Sequence, residues 1–324
     1  MPKVHPDYLV KPDLALPTDK EEVLIGLQGK TLKFTNLNKV FWPQEKLQKR
    51  DVLDYYDKIA PYLLPYLKGR PESLKRTPNG IDKPSFFQKD MPDTIPSWAH
   101  TEELLSESTK EKVHYLICND KPTLLFMANL GCIELNPWNS RLQSLEYPDY
   151  AVVDLDPVDV PFEQVVETAL AVKETLKQAG AEGYCKTSGS RGLHIYIPLG
   201  ANYTYEQARD FAHLVAKHTH KLAPEITSLE RSPAKRQHKV YLDYLQNSEG
   251  QTLAAPYCLR PKPGATVSAP LLWEEVKKGL NPSEFTISTI FERLKKLGDL
   301  FGPVLGKGIS LDKSMQALKQ LQEK

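Results

Sequence analysis

The chain has almost no excess charge: 42 Lys and Arg against 41 Asp and Glu leave a formal net charge of +1. No global field draws it onto a polyanion, so any affinity for nucleic acid has to come from a local basic stripe. Cysteine is scarce, and Cys118, Cys132, Cys185 and Cys258 show no C-x-x-C or other zinc spacing. They read as reduced thiols, not as a disulfide or metal framework. No apolar run reaches the roughly 18 residues of a membrane span, and the opening Met-Pro-Lys-Val-His-Pro-Asp lacks the apolar core of a signal peptide. The expected setting is a reducing cytoplasm with no membrane partner. A Walker A loop is also missing, so a nucleotide, if bound, is held by something other than a P-loop.

What is present is an ordinary globular composition, 40% hydrophobic and 26% charged over 324 residues, enough for two subdomains with proper cores. Three segments share one construction. In Tyr150-Ala-Val-Val-Asp154-Leu-Asp156-Pro157 the period of two sends Asp154 and Asp156 to one face and Ala151, Val153 and Leu155 to the other. Neighbouring carboxylates repel, and a divalent cation such as Mg²⁺ or Mn²⁺ is the simplest way to neutralise both. The alternative is a pair of solvated aspartates at a strand end. In Gly192-Leu-His194-Ile-Tyr-Ile-Pro198 the apolar set Leu193, Ile195 and Ile197 lies opposite His194 and Tyr196. In Val240-Tyr-Leu-Asp243-Tyr-Leu-Gln-Asn247, Asp243 lies opposite Val240, Leu242 and Tyr244.

Between these strands, 161–179 has helical spacing and stops at Gly180, and a second helix opens with the capping box Thr204-x-x-Gln207 and runs to residue 222. With a short strand at 183–187, the order is β-α-β-β-α-β, a ferredoxin-like arrangement with helices on one side of a sheet and chemistry on the other. The turn Ser188-Gly-Ser-Arg191-Gly192 offers backbone N–H groups, hydroxyls and a guanidinium to one anion, which suits a triphosphate. Alone it is a weak signal, since most Ser-Gly hairpins are only hairpins.

The first half is less regular. Residues 1–28, rich in Pro, Lys, Asp and Glu, read as a leader or linker. A strand is expected at 30–35 and a helix from Lys49-Arg50-Asp51, with Val52, Tyr56, Ile59 and Leu63 on one face and Pro61 and Pro65 kinking it or ending it early. Phe86-Phe87 in a loop-rich stretch is either a stacking platform for a base or one buried ring beside a half-covered one. His213, His218 and His220 share a helix without the spacing of a metal pair, and 309–324 reads as an amphipathic helix.

Taken together, Asp154-Leu-Asp156-Pro, Thr187-Ser-Gly-Ser-Arg-Gly-Leu-His194 and Val240-Tyr-Leu-Asp243-Tyr-Leu-Gln-Asn247 resemble the three signature motifs of the archaeo-eukaryotic primase superfamily. More narrowly, the chain resembles the polymerase domain of bacterial ATP-dependent DNA ligase D. That resemblance extends to Asn36-Leu-Asn-Lys39-Val-Phe-Trp-Pro, Leu74-Lys-Arg-Thr-Pro-Asn-Gly-Ile-Asp, Phe86-Phe-Gln-Lys, Ala128-Asn-Leu-Gly-Cys-Ile-Glu-Leu and Ala255-Pro-Tyr-Cys-Leu-Arg260, covering about residues 30–300.

The resemblance implies an α+β primase-polymerase fold: an N-terminal α/β, DNA-end-binding subdomain over 29–149, a catalytic palm over 150–303 with the β-α-β-β-α-β (ferredoxin/RRM-like) order, and a C-terminal helix or tail over 304–324. It makes Asp154, Asp156 and Asp243 the ligands of two Mn²⁺ or Mg²⁺ ions in template-dependent extension of a primer 3′-hydroxyl from NTP or dNTP, ribonucleotides being favoured. Ser188, Arg191 and His194 match triphosphate-binding positions. Lys75, Arg76, Arg236, Arg260 and Lys262 fall where relatives place basic residues around nucleotide and DNA. Asn136 takes a position where many relatives carry a histidine, whose charge an amide cannot supply. Lys39 and Lys49 match a pair holding the 5′-phosphate of a recessed or gapped strand, and Phe86 and Phe87 the rings near the templating base. The implied partners are gapped or broken DNA ends, the end-binding protein Ku, and ligase and nuclease domains of non-homologous end joining, near the bacterial nucleoid. Two rivals stand beside it: a non-catalytic end-binding module, which would tolerate loss of the carboxylates, and an Asp-x-Asp glycosyltransferase, which leaves Asp243 unexplained.

Overall fold

A computed structural model describes residues 14–92, 95–106, 110–236 and 238–322. The chain divides into two compact units. The first comprises the chain up to Pro137 with Ala254–Val267 and Phe285–Gly298; the second comprises Trp138–Leu253, Ser268–Glu284 and the residues from Asp299 onward.

In the first unit, β1 (Val23–Leu27) and β2 (Lys30–Phe34) form a hairpin across Gln28 and Gly29, both at positive φ (49° and 75°), the geometry of a two-residue primed turn. The expected leader over 1–28 is thereby corrected in its described part: 23–27 is a strand, and Leu14 is buried with its N–H donated to Asp57 Oδ2 at 3.2 Å. Residues 1–13 lie outside the described chain. A second tight hairpin pairs β3 (Val40–Trp42) with β4 (Leu47–Gln48), which leads directly into α1 (Lys49–Leu67). Asp51 Oδ2 accepts the Gln48 N–H at 2.6 Å and fixes the start of the helix.

α1 does not end early at Pro61 or Pro65 but runs through both for 19 residues. Each interior proline costs about 3 kcal/mol. Val52, Leu53, Tyr55, Tyr56, Ile59, Ala60, Leu63, Tyr66 and Leu67 are all buried, and at about 1.5–3 kcal/mol per large side chain that burial outweighs the prolines. Then come β5 (Glu72–Arg76), β6 (Phe86–Gln88), the hairpin β7 (Thr101–Leu105) and β8 (Lys112–Leu116), α2 (Lys121–Asn129) and β9 (Cys132–Pro137). Strands β6, β5 and β9 form an antiparallel sheet in that order. The Tyr56 hydroxyl of α1 donates to Ile133 O of β9 at 2.5 Å.

The second unit is built on a six-stranded sheet. Its elements are β10 (Tyr150–Pro157), α3 (Phe162–Gln178), β11 (Tyr184–Thr187), β12 (Leu193–Pro198), α4 (Tyr205–Leu222), β13 (Thr227–Ser228), β14 (Val240–Asp243) and β15 (Pro270–Leu271). The spatial order is β13-β14-β10-β12-β11-β15, with β10 antiparallel to both neighbours. Helix α3 ends at Gly180 in the left-handed region (φ 63°), and α4 carries the expected Thr204–Gln207 capping box. The apolar residues of α3 and α4 cover the Val153, Leu155, Ile195 and Leu242 face; a Cβ at Gly183 would meet both Leu176 of α3 and Ile195 of β12. The opposite face carries Asp154, Asp156, His194 and Asp243, as the alternation predicts.

The chain then returns to the first unit for α5 (Ile290–Leu297), and α6 (Leu311–Gln322) closes the second unit against α4. The boundaries expected at 149 and 303 are corrected accordingly: the units change at 137, and 254–267 and 285–298 belong to the first.

Where β14 ends, Asn247 takes over the pairing to β10. Its Oδ1 accepts from Val152 N and its Nδ2 donates to Val152 O, both at 2.7 Å, and to Tyr244 O at 2.8 Å. The amide thus acts as one more rung of the ladder and fixes the segment that follows Asp243. Asn247→Ala leaves a buried N–H and C=O of Val152 unpaired, so urea denaturation should show a loss of about 3 kcal/mol; a loss below about 1 kcal/mol contradicts this role.

Candidate active site

Strand register assembles the centre of the second unit. His194 of β12 is the Cα partner of Asp154 of β10, which on its other side is the partner of Asp243 of β14; Lys186 of β11 is the partner of His194. Residues directly opposite in a ladder point to the same face. One row across four strands therefore reads Lys186, His194, Asp154, Asp243. His194 Nε2 stands 3.5 Å from Asp154 Oδ1. Asp243 is oriented by its own loop: Oδ1 accepts from Leu245 N at 2.8 Å, and Oδ2 from Gln246 Nε2 at 3.0 Å.

Asp156 lies one step along β10, beside Tyr241 of β14. Its Oδ2 accepts from Arg236 Nη1 at 2.7 Å, and the guanidinium lies 4.3 Å from the centre of the Tyr241 ring. Arg236 is itself held by the carbonyls of Glu230 and Arg231. Instead of standing free for a nucleotide, Arg236 neutralises one of the carboxylates. The three aspartates offer only hard oxygen donors from two paired strands, which suits Mg²⁺ or Mn²⁺. Among the described residues no three ligand side chains already converge on one point. Arg236 engages Asp156 through Oδ2, and Gln246 engages Asp243 through Oδ2.

The turn from Ser188 to Gly192 is internally bonded. Ser188 Oγ accepts from Ser190 N and Gly192 N, both at 3.1 Å, and Gly189 takes φ 67°. A Cβ on Gly192 would stand 2.2 Å from Leu155 O, so only glycine lets the turn lie this close to β10. Ser188 therefore organises the turn, while Arg191 is exposed and borders, with Ser190, Asp159 and Asn281, a cleft of about 420 Å³.

The first unit gathers a different set. Lys49 N donates to Lys39 O at 2.8 Å across the β3–β4 hairpin, so both lysines, with Asn36, Arg76 and Asn129, line one cavity of about 260 Å³. Lys39 Nζ donates to Asn79 Oδ1 at 2.6 Å, and Lys49 Nζ to Thr35 O at 2.7 Å. Burial, then the charges of Lys39 and Arg76, lower the Lys49 ammonium to about 8. On β6, Phe86 and Phe87 are 47% and 59% exposed, so neither ring is core. Arg76 and Lys75, their partners on β5, lie 5.3 and 5.6 Å from the Phe86 and Phe87 ring centres respectively. Buried Glu134 accepts from Arg260 Nε at 2.9 Å and Lys75 Nζ at 3.4 Å, while Lys262 is exposed. Asn136 stands apart. It is buried, and Nδ2 donates to Ser73 O and Glu134 O at 3.3 Å, so its amide nitrogen ties β9 to β5.

The profile of the LigD primase-polymerase domain matches residues 48–301. The chain belongs to the LigD primase-polymerase domain family. It is 37% identical over 269 residues to the Bifunctional non-homologous end joining protein LigD of Bacillus subtilis, a match covering 82% of this chain and 43% of that protein. It is 32% identical over 278 residues to the Multifunctional non-homologous end joining protein LigD of Mycolicibacterium smegmatis, covering 84% of this chain and 36% of that one. The chain thus spans less than half the length of these relatives. Its fold is similar to a Polymerase Domain from Mycobacterium tuberculosis Ligase D in complex with DNA, with a TM-score of 0.79, 30% identity and coverage of 86% of this chain and 99% of that one. Membership of the LigD family sets the glycosyltransferase rival aside. No helix among the described residues is long and apolar enough to cross a membrane.

Sequence reading passed over Lys186, Gln246, Glu134 and Asn129. Asn129 accepts from Thr35 N at 3.2 Å and donates to Lys33 O at 2.9 Å, so it shapes the lysine cavity without presenting a charge. That cavity is directly testable. The Lys49 Nζ, followed by ¹⁵N NMR, should titrate near 8, and anion affinity of the cavity should fall as pH rises through that value, because only the ammonium attracts an anion. Titration near the ordinary lysine value of about 10.4 contradicts the geometry.

Proposed function

We propose that this chain is a template-dependent nucleotidyltransferase that extends a primer 3′-hydroxyl at gaps and broken DNA ends, with a preference for ribonucleotides, as the polymerase step of non-homologous end joining. The observation that carries the reading is the pairing of Asp154 with Asp243 across β10 and β14, with Asp156 on the same face. In this reading the second unit is a palm of the RRM-like kind, and Asp154, Asp156 and Asp243 hold two Mg²⁺ or Mn²⁺ ions.

Such ions, when bound, acidify the attacking hydroxyl and neutralise the triphosphate and the leaving pyrophosphate. The chain's own residues do the rest. Asp154 and Asp243 are held in place, the first beside the imidazole of His194 and the second under the amide of Gln246. Arg236 holds Asp156 oriented on this face, where its carboxylate would serve a bound cation. Ser188 holds the turn in shape, and Arg191 and His194 supply donors to the triphosphate.

In the first unit we assign Lys39 and Lys49 to the terminal 5′-phosphate of a downstream strand, Phe86 and Phe87 to stacking on a template base, and Lys75, Arg76, Arg260 and Lys262 to phosphates. A terminal phosphate carries more charge than a diester, so a lysine pair selects it. Ku and the ligase and nuclease activities of end joining are the proposed partners. Two features support the end-directed part: the single cavity holding both lysines, and the exposure of both phenylalanine rings.

A gapped duplex with labelled nucleotide tests the proposal. Wild type should fill the gap faster when the downstream strand carries a 5′-phosphate, and the Lys39→Ala, Lys49→Ala double variant should lose that dependence while still extending an open primed template. Each lost phosphate contact should also flatten the slope of log affinity against log salt by about 0.7–0.9. Absence of extension from wild type refutes the polymerase reading; extension indifferent to the 5′-phosphate refutes the end-directed part alone.

A further inference from the structure

Lys186 is wholly buried on β11. Burying an ammonium is costly unless its protons are hydrogen-bonded, so its partners indicate its purpose. Its Nζ lies 2.9 Å from His194 Nδ1 and 2.6 Å from Ser268 Oγ, and 5.5 Å from the centre of the Tyr196 ring. The Ser268 hydroxyl gives its proton to Thr187 O at 2.8 Å, which turns an oxygen lone pair toward Lys186. An ammonium has three donors and no acceptor. His194 Nδ1 is therefore the acceptor, and the proton of the neutral ring sits on Nε2. That nitrogen is the one directed at Asp154 Oδ1, 3.5 Å away.

We infer that Lys186 is a positioning residue, which fixes His194 as the Nε2–H tautomer so that the imidazole presents a donor, and not a lone pair, to the face that carries the aspartates. The inference rests on the reading of that face as the nucleotidyl-transfer site. With the other tautomer, a nitrogen lone pair would face the Asp154 carboxylate and any phosphate oxygen, and both contacts would become repulsive. Ring orientation and tautomer are set together because the row Lys186, His194, Asp154 is fixed by backbone pairing on both sides of β12. Ser268 and Thr187 complete the support: Thr187 Oγ1 accepts from Ala269 N at 2.9 Å, so the segment bearing Ser268 is tied to the same strand as Lys186.

The full chain, labelled with ¹⁵N-histidine, tests this by the ring-nitrogen shifts of His194 in wild type, Lys186→Gln and Lys186→Met. The glutamine amide keeps a donor without the charge; methionine keeps the bulk without the donor. The expected result is Nε2–H in wild type and Lys186→Gln and a shift toward Nδ1–H in Lys186→Met. In primer extension, Lys186→Met should raise the nucleotide KM about tenfold with a smaller change in kcat, and should add nothing further in a His194→Ala background. Finding Nδ1–H in wild type overturns the inference, even if Lys186→Met does not fold. An unchanged tautomer in a folded Lys186→Met, or effects of Lys186→Met and His194→Ala on KM that multiply, overturns it too. A wild type that extends no primer counts against the nucleotidyl-transfer reading, and the tautomer measurement then decides the role of Lys186 by itself.

Discussion

The antiparallel pairing of β10 with a neighbour on each side is the constraint from which the site follows. Because β12 and β14 meet β10 in fixed register, Asp154 has His194 on one side and Asp243 on the other, and Asp156 sits beside Tyr241 under Arg236. A slip of one residue in either ladder would turn His194 or Asp243 toward the helices. The devices around the row guard against that slip. Asn247 extends the β14 side of the ladder to Val152, and the glycine at 192 lets the Ser188 turn seat against Leu155 O.

The same pairing creates an electrostatic problem and shapes its solution. Carboxylates on adjacent strands repel in a partly buried setting. Here each has its own compensation: the His194 imidazole for Asp154, the Arg236 guanidinium for Asp156, and the Leu245 N–H and Gln246 amide for Asp243. These partners hold the side chains extended toward the open face. In the first unit the logic has the opposite sign. Lys39, Lys49 and Arg76 crowd around a cavity, and the depressed Lys49 ammonium records first its burial and then the nearby charges of Lys39 and Arg76.

Much of this was legible in the residues. The period of two in the Asp154, His194 and Asp243 strands gave the correct face for each side chain, and Gly180 and the Thr204–Gln207 box marked helix ends correctly because capping is local chemistry. Long-range packing was not legible. Pro61 and Pro65 lie inside α1 because a buried face outweighs two missing N–H groups. The first strand escaped notice because its turn is Gln28-Gly29, a weaker signal than Asn-Gly. Lys186 reads in sequence as any strand lysine, and only the β11–β12 register places it on His194. Asn136 stands in a motif yet turns its amide to Ser73 O and Glu134 O, a detail set by the β5–β9 sheet.

In the proposed function the aspartates on β10 and β14 act as one metal-binding, nucleotidyl-transfer unit. Single-turnover extension of a primed template by Asp154→Asn, Asp156→Asn and Asp243→Asn tests it most directly, since asparagine preserves volume and removes only the charge. Each variant should fold and bind DNA like wild type but extend about a thousandfold more slowly or worse, in Mg²⁺ and in Mn²⁺ alike. Any one of the three extending at more than about a tenth of the wild-type rate would contradict it.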